Sequence, residues 1–287
     1  MPALLPGLAA PPVNRSRISA ITDEIARSPQ GAIEFLKQYG LQLAELREVP
    51  GGGAYENLSE DRLREAAREL REAGIRVSFL DAGSMKYHLP GTEPARPRAE
   101  SEEARARRLQ REGAEFERRM EHIRKAIRAA QILGTDKVRV FAFGRVAEPM
   151  KLMPRIAEIL APMVDLAASE KIHLLVENEA SCNVATAREL AELVRLLPSP
   201  WFGINWDIGN GMPHGEIPFP DGYTEIHNLD HALLCDQDVR GLDVTVRDAA
   251  LMSRAQPFSH LHGNLQCLCR GQRPGCPLQP CGRLSPS

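Results

Sequence analysis

The chain has 287 residues and a mass of 31.7 kDa, the length of one α/β barrel rather than of a small domain. Hydrophobic residues make up 43% and charged residues 26%, so a sizeable core can be buried and a disordered polymer is excluded. Thirty-six basic against 38 acidic residues leave a net charge of −2, too even a balance for a chain whose main partner is a nucleic-acid backbone or an acidic membrane.

No apolar run approaches the ~18 residues of a membrane span. The apolar start, Met1 to Pro12, has no Lys or Arg before Arg15, unlike a secretory leader. The expectation is a cytoplasmic protein.

Short apolar runs alternate with long amphipathic segments. Ile18 to Ile21 reads as a first strand, followed by a helix that Ser28 caps with Pro29 at its first position. Leu41 to Leu46 is a second strand, and the charged helix from Leu58 to Ala73 ends at Gly74. Ile75 to Leu80 is a third strand. After a polar loop comes one long helix, Glu102 to Leu133, in which Phe116, Met120, Ile123, Ile127 and Ala130 share a face. Val138 to Phe143 is a fourth strand, backed by a helix from Pro154 to Ser169. Ile172 to Val176 is a fifth, and the next helix opens on the capping box Thr186-x-x-Glu189. Phe202 to Trp206 is a sixth.

Six βα units in succession predict parallel strands with crossover helices. The first strand is followed by Thr22-Asp23-Glu24-Ile25 rather than by a glycine-rich phosphate turn, which favours a barrel over an open doubly wound sheet. The expected fold is α/β, a (β/α)8 TIM barrel with six units readable and the last two not.

The composition changes along the chain. Of the 26 Glu none follows Glu225, of the 6 Lys none follows Lys171, and five of the six Cys lie between Cys235 and Cys281. The ending CLCRGQRPGCPLQPCGRLSPS has no hydrophobic period and cannot build amphipathic helices. Residues 1–16 therefore read as a flexible segment, 17–226 as the barrel, and 227–287 as an atypical segment. That segment leaves three readings open: a disordered tail, a Cys-bound module, or a stretch translated in a shifted frame. Its spacing C-x-C-x6-C-x4-C does not match a zinc finger or ribbon.

Chemistry in a barrel forms where the strands end. The exits carry Asp23 and Glu24, Glu45 and Arg47, Asp81, Phe143, Glu177 with Asn178 and Glu179, and Asp207 with Asn210. Carboxylates converging on one mouth repel one another unless a cation or a base neutralises them. A divalent ion with oxygen ligands does this and also polarises a carbonyl.

The segments ISAITDEIA, VENEASCNVATARELAEL and FGINWDIGN resemble the xylose isomerase-like barrel superfamily of sugar and sugar-phosphate isomerases and epimerases, over about Arg17 to Tyr223. That group also includes endonuclease-like members acting at abasic DNA. In its sugar isomerases, a Glu after strand five, an Asp after strand six, a His after strand seven and a Glu after strand eight hold one divalent ion. The resemblance implies Glu177 and Asp207 as metal ligands, with manganese, magnesium or cobalt before zinc, and Glu177 as the base that moves a proton through an enediolate.

Asn210 stands where many relatives have a His. Asp243 and Thr245 fall at the places of the family's His-x-His pair, and no Glu remains downstream of Glu225, so the third and fourth ligands are not carried onto this chain.

Other residues have competing readings. Glu45 is either a substrate-binding carboxylate or a partner of Arg47. Asn178 and Asn210 orient substrate hydroxyls or serve turns. His88, with Lys86, reads as a lid contact to substrate. Asp23 and Glu24 suit a helix N-terminus. The Arg-rich helix interleaves Glu at i,i+4 spacing and reads as a solvated face. The expected partner is a small-molecule sugar, with no nucleic acid and no membrane; a homo-oligomer stays open. The alternatives are a barrel fragment without catalysis, or an endonuclease-type repair hydrolase, for which neither a His-rich site nor a basic groove is visible.

Overall fold

The computed structural model describes residues 15–97, 99–207 and 209–216. The expectations for residues 1–14 and 217–287, including the tail and the seventh and eighth units, lie outside the described residues. Six strands form one parallel sheet in sequential order: β1 Ser19–Ile21, β2 Leu43–Leu46, β3 Arg76–Asp81, β4 Lys137–Val140, β5 His173–Glu177 and β6 Phe202–Asn205. A doubly wound sheet reverses its strand order midway; this one does not, which is the winding of a barrel wall. Among the described residues the sheet is open, with β1 and β6 at its edges.

The connecting helices are α1 Thr22–Ile25, α2 Pro29–Gln38, α3 Glu60–Glu72, α4 Glu102–Glu117, α5 Arg119–Leu133, α6 Pro149–Ser169 and α7 Ala187–Leu196. Their ends follow local rules. Ser28 Oγ accepts from the Gly31 N–H with Pro29 at the first position, and Thr186 with Glu189 closes a capping box on α7. Gly134 ends α5 at φ 81°, a left-handed conformation that glycine adopts without strain. Among the described residues no helix is long and apolar enough to cross a membrane.

Three elements depart from the sequence reading. The helix expected over 102–133 is two helices, interrupted at Arg118 (φ −86°, ψ 2°). The apolar stripe explains the break: α5 buries Ile123, Ala126, Ile127 and Ala130, whereas the one buried residue of α4 is Glu112, paired with Arg108. With only Phe116, in its last turn, packed against the core, most of α4 is free to leave the line of α5. Helix α6 starts at Pro149 rather than Pro154 and carries Pro154 and Pro162 inside it.

Strand β4 stops at Val140 instead of Phe143. The N–H groups of Phe141, Phe143 and Gly144 turn to the carbonyls of Ser84, Met85 and Tyr87 in the loop after β3. Phe143, fully buried, takes φ 60° to make that turn.

The core lies between sheet and helices. Leu46, Leu80, Val138, Val140, Leu174 and Val176 point outward from the strands against Leu36, Ile123, Ile156 and Leu160 of the helices, all essentially sealed from solvent. Alternation then sends the intervening strand residues into the barrel interior. That parity positions the site.

Candidate active site

The inward residues at the C-terminal ends of the strands are Glu45, Asp81, Arg139, Glu177 and Asn205. Register brings them together, because Asp81 pairs with Arg139, and Glu177 with Asn205. Arg139 pairs with Leu175, so Glu177 stands two residues farther along the same face.

Arg139 is the centre of the cluster, only 4% exposed. Its Nε lies 2.7 Å from Glu177 Oε2 and 3.3 Å from Asp81 Oδ1, both off the N–H axis, so these are ion contacts rather than in-line hydrogen bonds. One terminal nitrogen donates to the Ala82 carbonyl at 3.3 Å, and the guanidinium sits 4.4 Å from the centre of the Phe141 ring. Arg139 was not among the residues singled out in the sequence. Its signal was there: an Arg between two Val in a strand covered on both sides must have an anionic partner inside.

Burial pushes the Glu177 carboxyl up, Arg139 pulls it down, and the charges of Asp81 and Asp207 raise it again; Asn205 reaches Oε2 at 3.4 Å. Glu45 does not pair with Arg47, which instead holds Asp23 (2.6 Å) and Glu24 (3.0 Å). It faces Asp81, and burial first, then Asp81, pushes its carboxyl up to about 9. Neither oxygen of Asp81 has an in-line donor among the described N–H groups. A proton on Glu45 supplies the missing hydrogen bond between these two carboxyls.

Glu56, also unforeseen, enters from the loop after β2. Its Oε1 accepts the Gly83 N–H at 3.1 Å, and burial raises its carboxyl.

The β5 and β6 exits are clamped by Asn178, which is fully buried. Its amide accepts from the Asp207 N–H at 2.7 Å and donates to the carbonyls of Asp207 (2.7 Å) and Ala185 (3.3 Å). Asn210 donates to the Asn178 carbonyl at 2.9 Å. The Asn178 amide is thus engaged on both sides by main chain, and the Asn210 amide nitrogen by the Asn178 carbonyl. Asp207 Oδ1 accepts from the N–H groups of Gly209 (2.7 Å) and Asn210 (3.1 Å), closing the turn after β6.

The loop after β3 lies across the β4 and β5 exits. Lys86 pairs with Glu179 at 2.7 Å and stands 4.5 Å above the Phe141 ring. The His88 ring rests on Gly144, where a Cβ would come within 2.6 Å of it. A cavity of about 450 Å³ lies apart from the cluster, between the start of α2, the loop after β2 and α3, lined by Thr22, Ile33, Val49, Tyr55, Leu58 and Glu69.

Glu177 and Asp207 supply oxygen donors on neighbouring strands, but the described residues do not fit a divalent ion. Among them no three His, Cys, Asp or Glu side chains gather as a cage. One Glu177 oxygen already faces Arg139 and one Asp207 oxygen is held by its turn.

The model of the xylose isomerase-like TIM barrel family matches residues 33–260. Comparison with curated proteins gave no significant match. Among solved structures the chain is similar to the probable 3-DHS dehydratase AsbF, involved in petrobactin synthesis, from Bacillus anthracis: 16% identity over 70% of this chain and 66% of that one, TM-score 0.50. It is similar to a xylose isomerase domain containing protein from Salmonella typhimurium LT2 at 19% identity, covering 73% and 68% of the two chains, TM-score 0.46. A D-tagatose 3-epimerase-like protein is similar at 20% identity, covering 69% and 67%, TM-score 0.46. The chain spans about two thirds of the length of each, and at these identities the likeness is one of fold. The chain belongs to the xylose isomerase-like TIM barrel family.

Proposed function

We propose that this chain is an isomerase or epimerase that moves a proton between carbons of a sugar or sugar phosphate, with Glu177 as the base. The observation that carries the reading is the pair of unlike carboxyls in one mouth. Glu177 has a buried cation 2.7 Å away that favours its ionised form, while Glu45 faces Asp81 and holds its proton at neutral pH. Burial raises both carboxyls, but Arg139 offsets part of the rise at Glu177 while Asp81 adds to it at Glu45, so the two provide a base and an acid at the same pH.

The step needs no redox partner. Glu177 takes the proton from the carbon beside the substrate carbonyl, and the electron pair moves to the carbonyl oxygen. Glu45 gives that oxygen its proton, leaving a neutral enediol. In isomerisation the protonated Glu177 delivers its proton to the neighbouring carbon, while the hydroxyl on the first carbon gives its proton back to Glu45 and becomes the new carbonyl. In epimerisation a second acid on the other face protonates the same carbon. The enediol hydroxyl formed from the carbonyl then reprotonates Glu45, and Glu177 releases its proton to solvent. The raised affinity of Glu177 suits a base working near neutrality. The divalent ion expected from the sequence has two donors here, Glu177 and Asp207, so no step is routed through it.

The test is incubation of the full chain with a panel of ketoses, aldoses and their phosphates, with products followed by NMR. Conversion of at least one sugar to its isomer or epimer supports the reading. No conversion of any, by a chain whose circular dichroism shows it folded, overturns it.

A further inference from the structure

The sequence leads to a divalent ion that neutralises the mouth, and the described side chains do not form its cage. We propose that Arg139 is the resident cation of this site, standing where a metal would neutralise Glu177 and Asp81, so that the cluster takes up a divalent ion only once position 139 loses its charge.

Three observations carry this. The Arg139 Nε is 2.7 Å from the Glu177 oxygen a metal would use. A metal on that oxygen, at a bond length of about 2–2.5 Å, would lie within about 5 Å of a permanent positive charge, and the two repel. Arg139 is held in place by its surroundings: it is buried, stacked over Phe141 and bonded to the Ala82 carbonyl, and the guanidinium is a permanent cation. Asp81 supplies the independent evidence. It is 1% exposed, has no in-line N–H donor to either oxygen beyond the bond it shares with the Glu45 carboxyl, and is aimed at the same Nε from 3.3 Å. A buried carboxylate left that way needs a cation beside it, and among the described residues Arg139 is the cation that reaches it. Asp207, the other expected ligand, has one oxygen committed to the turn at Gly209 and Asn210.

The inference goes beyond the proposed activity, since it is read by binding: a chain that never converted a sugar would give the same isotherms.

The experiment titrates manganese into the full chain and into Glu177→Gln, Arg139→Met, Arg139→Lys and the double variant Arg139→Met/Glu177→Gln, by calorimetry with circular dichroism as the folding control. Wild type and Arg139→Lys are expected to show no saturable site that depends on Glu177. Arg139→Met is expected to gain one site, at least tenfold tighter than any wild-type binding, and the double variant to lose it. A one-to-one wild-type site abolished by Glu177→Gln overturns the proposal, as does a folded Arg139→Met whose isotherm equals wild type. If Arg139→Met does not fold, the comparison of wild type with Glu177→Gln decides by itself, a Glu177-dependent site refuting the proposal and none supporting it.

Discussion

The Nε of Arg139 on β4 lies 2.7 Å from Oε2 of Glu177 on β5, with Asp81 on β3 at 3.3 Å from the same nitrogen. Three neighbouring strands thus place one cation between two carboxylates, and the register fixes them there. Removing one partner of a buried ion cluster leaves the others uncompensated, at about 3–5 kcal/mol. Arg139→Ala is expected to lose stability in that range in urea unfolding, and Arg139→Lys distinctly less. A loss below about 1 kcal/mol for Arg139→Ala would mean that the cluster is solvated rather than buried.

Glu45 links stability to pH. Its carboxyl is pushed from 4.5 to about 9 by burial and by Asp81. The folded chain keeps a proton that the unfolded chain releases above 4.5, so this contribution is complete below that value and is lost as pH climbs toward 9. Glu45→Gln removes the titration and should flatten the decline, measured as urea midpoints between roughly pH 5 and pH 9. An unchanged slope in Glu45→Gln assigns the decline to another group.

Asn178 holds the β5 and β6 exits through one accepted and two donated hydrogen bonds, all to main chain. Asn178→Ala orphans buried peptide groups and should lower stability by about 1–3 kcal/mol. Asn178→Asp keeps the acceptor but sets a carboxylate against the Asp207 and Ala185 carbonyls, so it should be the worse of the two at neutral pH. Thermal unfolding of both variants orders them; the reverse order would contradict the clamp.

Gly144 has room for a hydrogen and no more. A Cβ there meets the His88 ring at 2.6 Å, and overpacking of this kind typically destabilises by about 1–3 kcal/mol. Gly144→Ala should fall in that range, and His88→Ala should recover much of the loss in the double variant. Additive effects in the cycle would place the conflict elsewhere.

Much of the fold was legible because its signals are local. Ser28 with Pro29, Thr186 with Glu189 and Gly134 each mark a helix end through hydrogen bonds within one turn. The strands showed as apolar runs, yet the end of β4 did not. Phe141 and Phe143 continue the apolar pattern, but their N–H groups are claimed by Ser84 and Met85, more than fifty residues upstream. The break at Arg118 was hidden in the same way, since the charged half of the segment 102–133 still reads as helix.

At the site, Glu177 stood out by leaving a buried strand, whereas Asn178, the next residue, has the opposite parity and turns to main chain. Arg139 lies inside a strand and Glu56 in a distant loop, so neither stands at a strand exit in the sequence. Only the register and the barrel's curvature bring them to the same mouth.

The most direct test of Glu177 as the proton acceptor is solvent-deuterium incorporation at the carbon beside the carbonyl of whichever sugar the chain converts, compared between wild type and Glu177→Gln. Ser28→Ala, which removes the cap of α2 away from the cluster, serves as a control for general damage. Wild type should incorporate deuterium. Glu177→Gln, folded by circular dichroism, should slow incorporation by about 10²–10⁴-fold, while the control stays within roughly tenfold of wild type. Incorporation by Glu177→Gln at the wild-type rate would contradict Glu177 as the base.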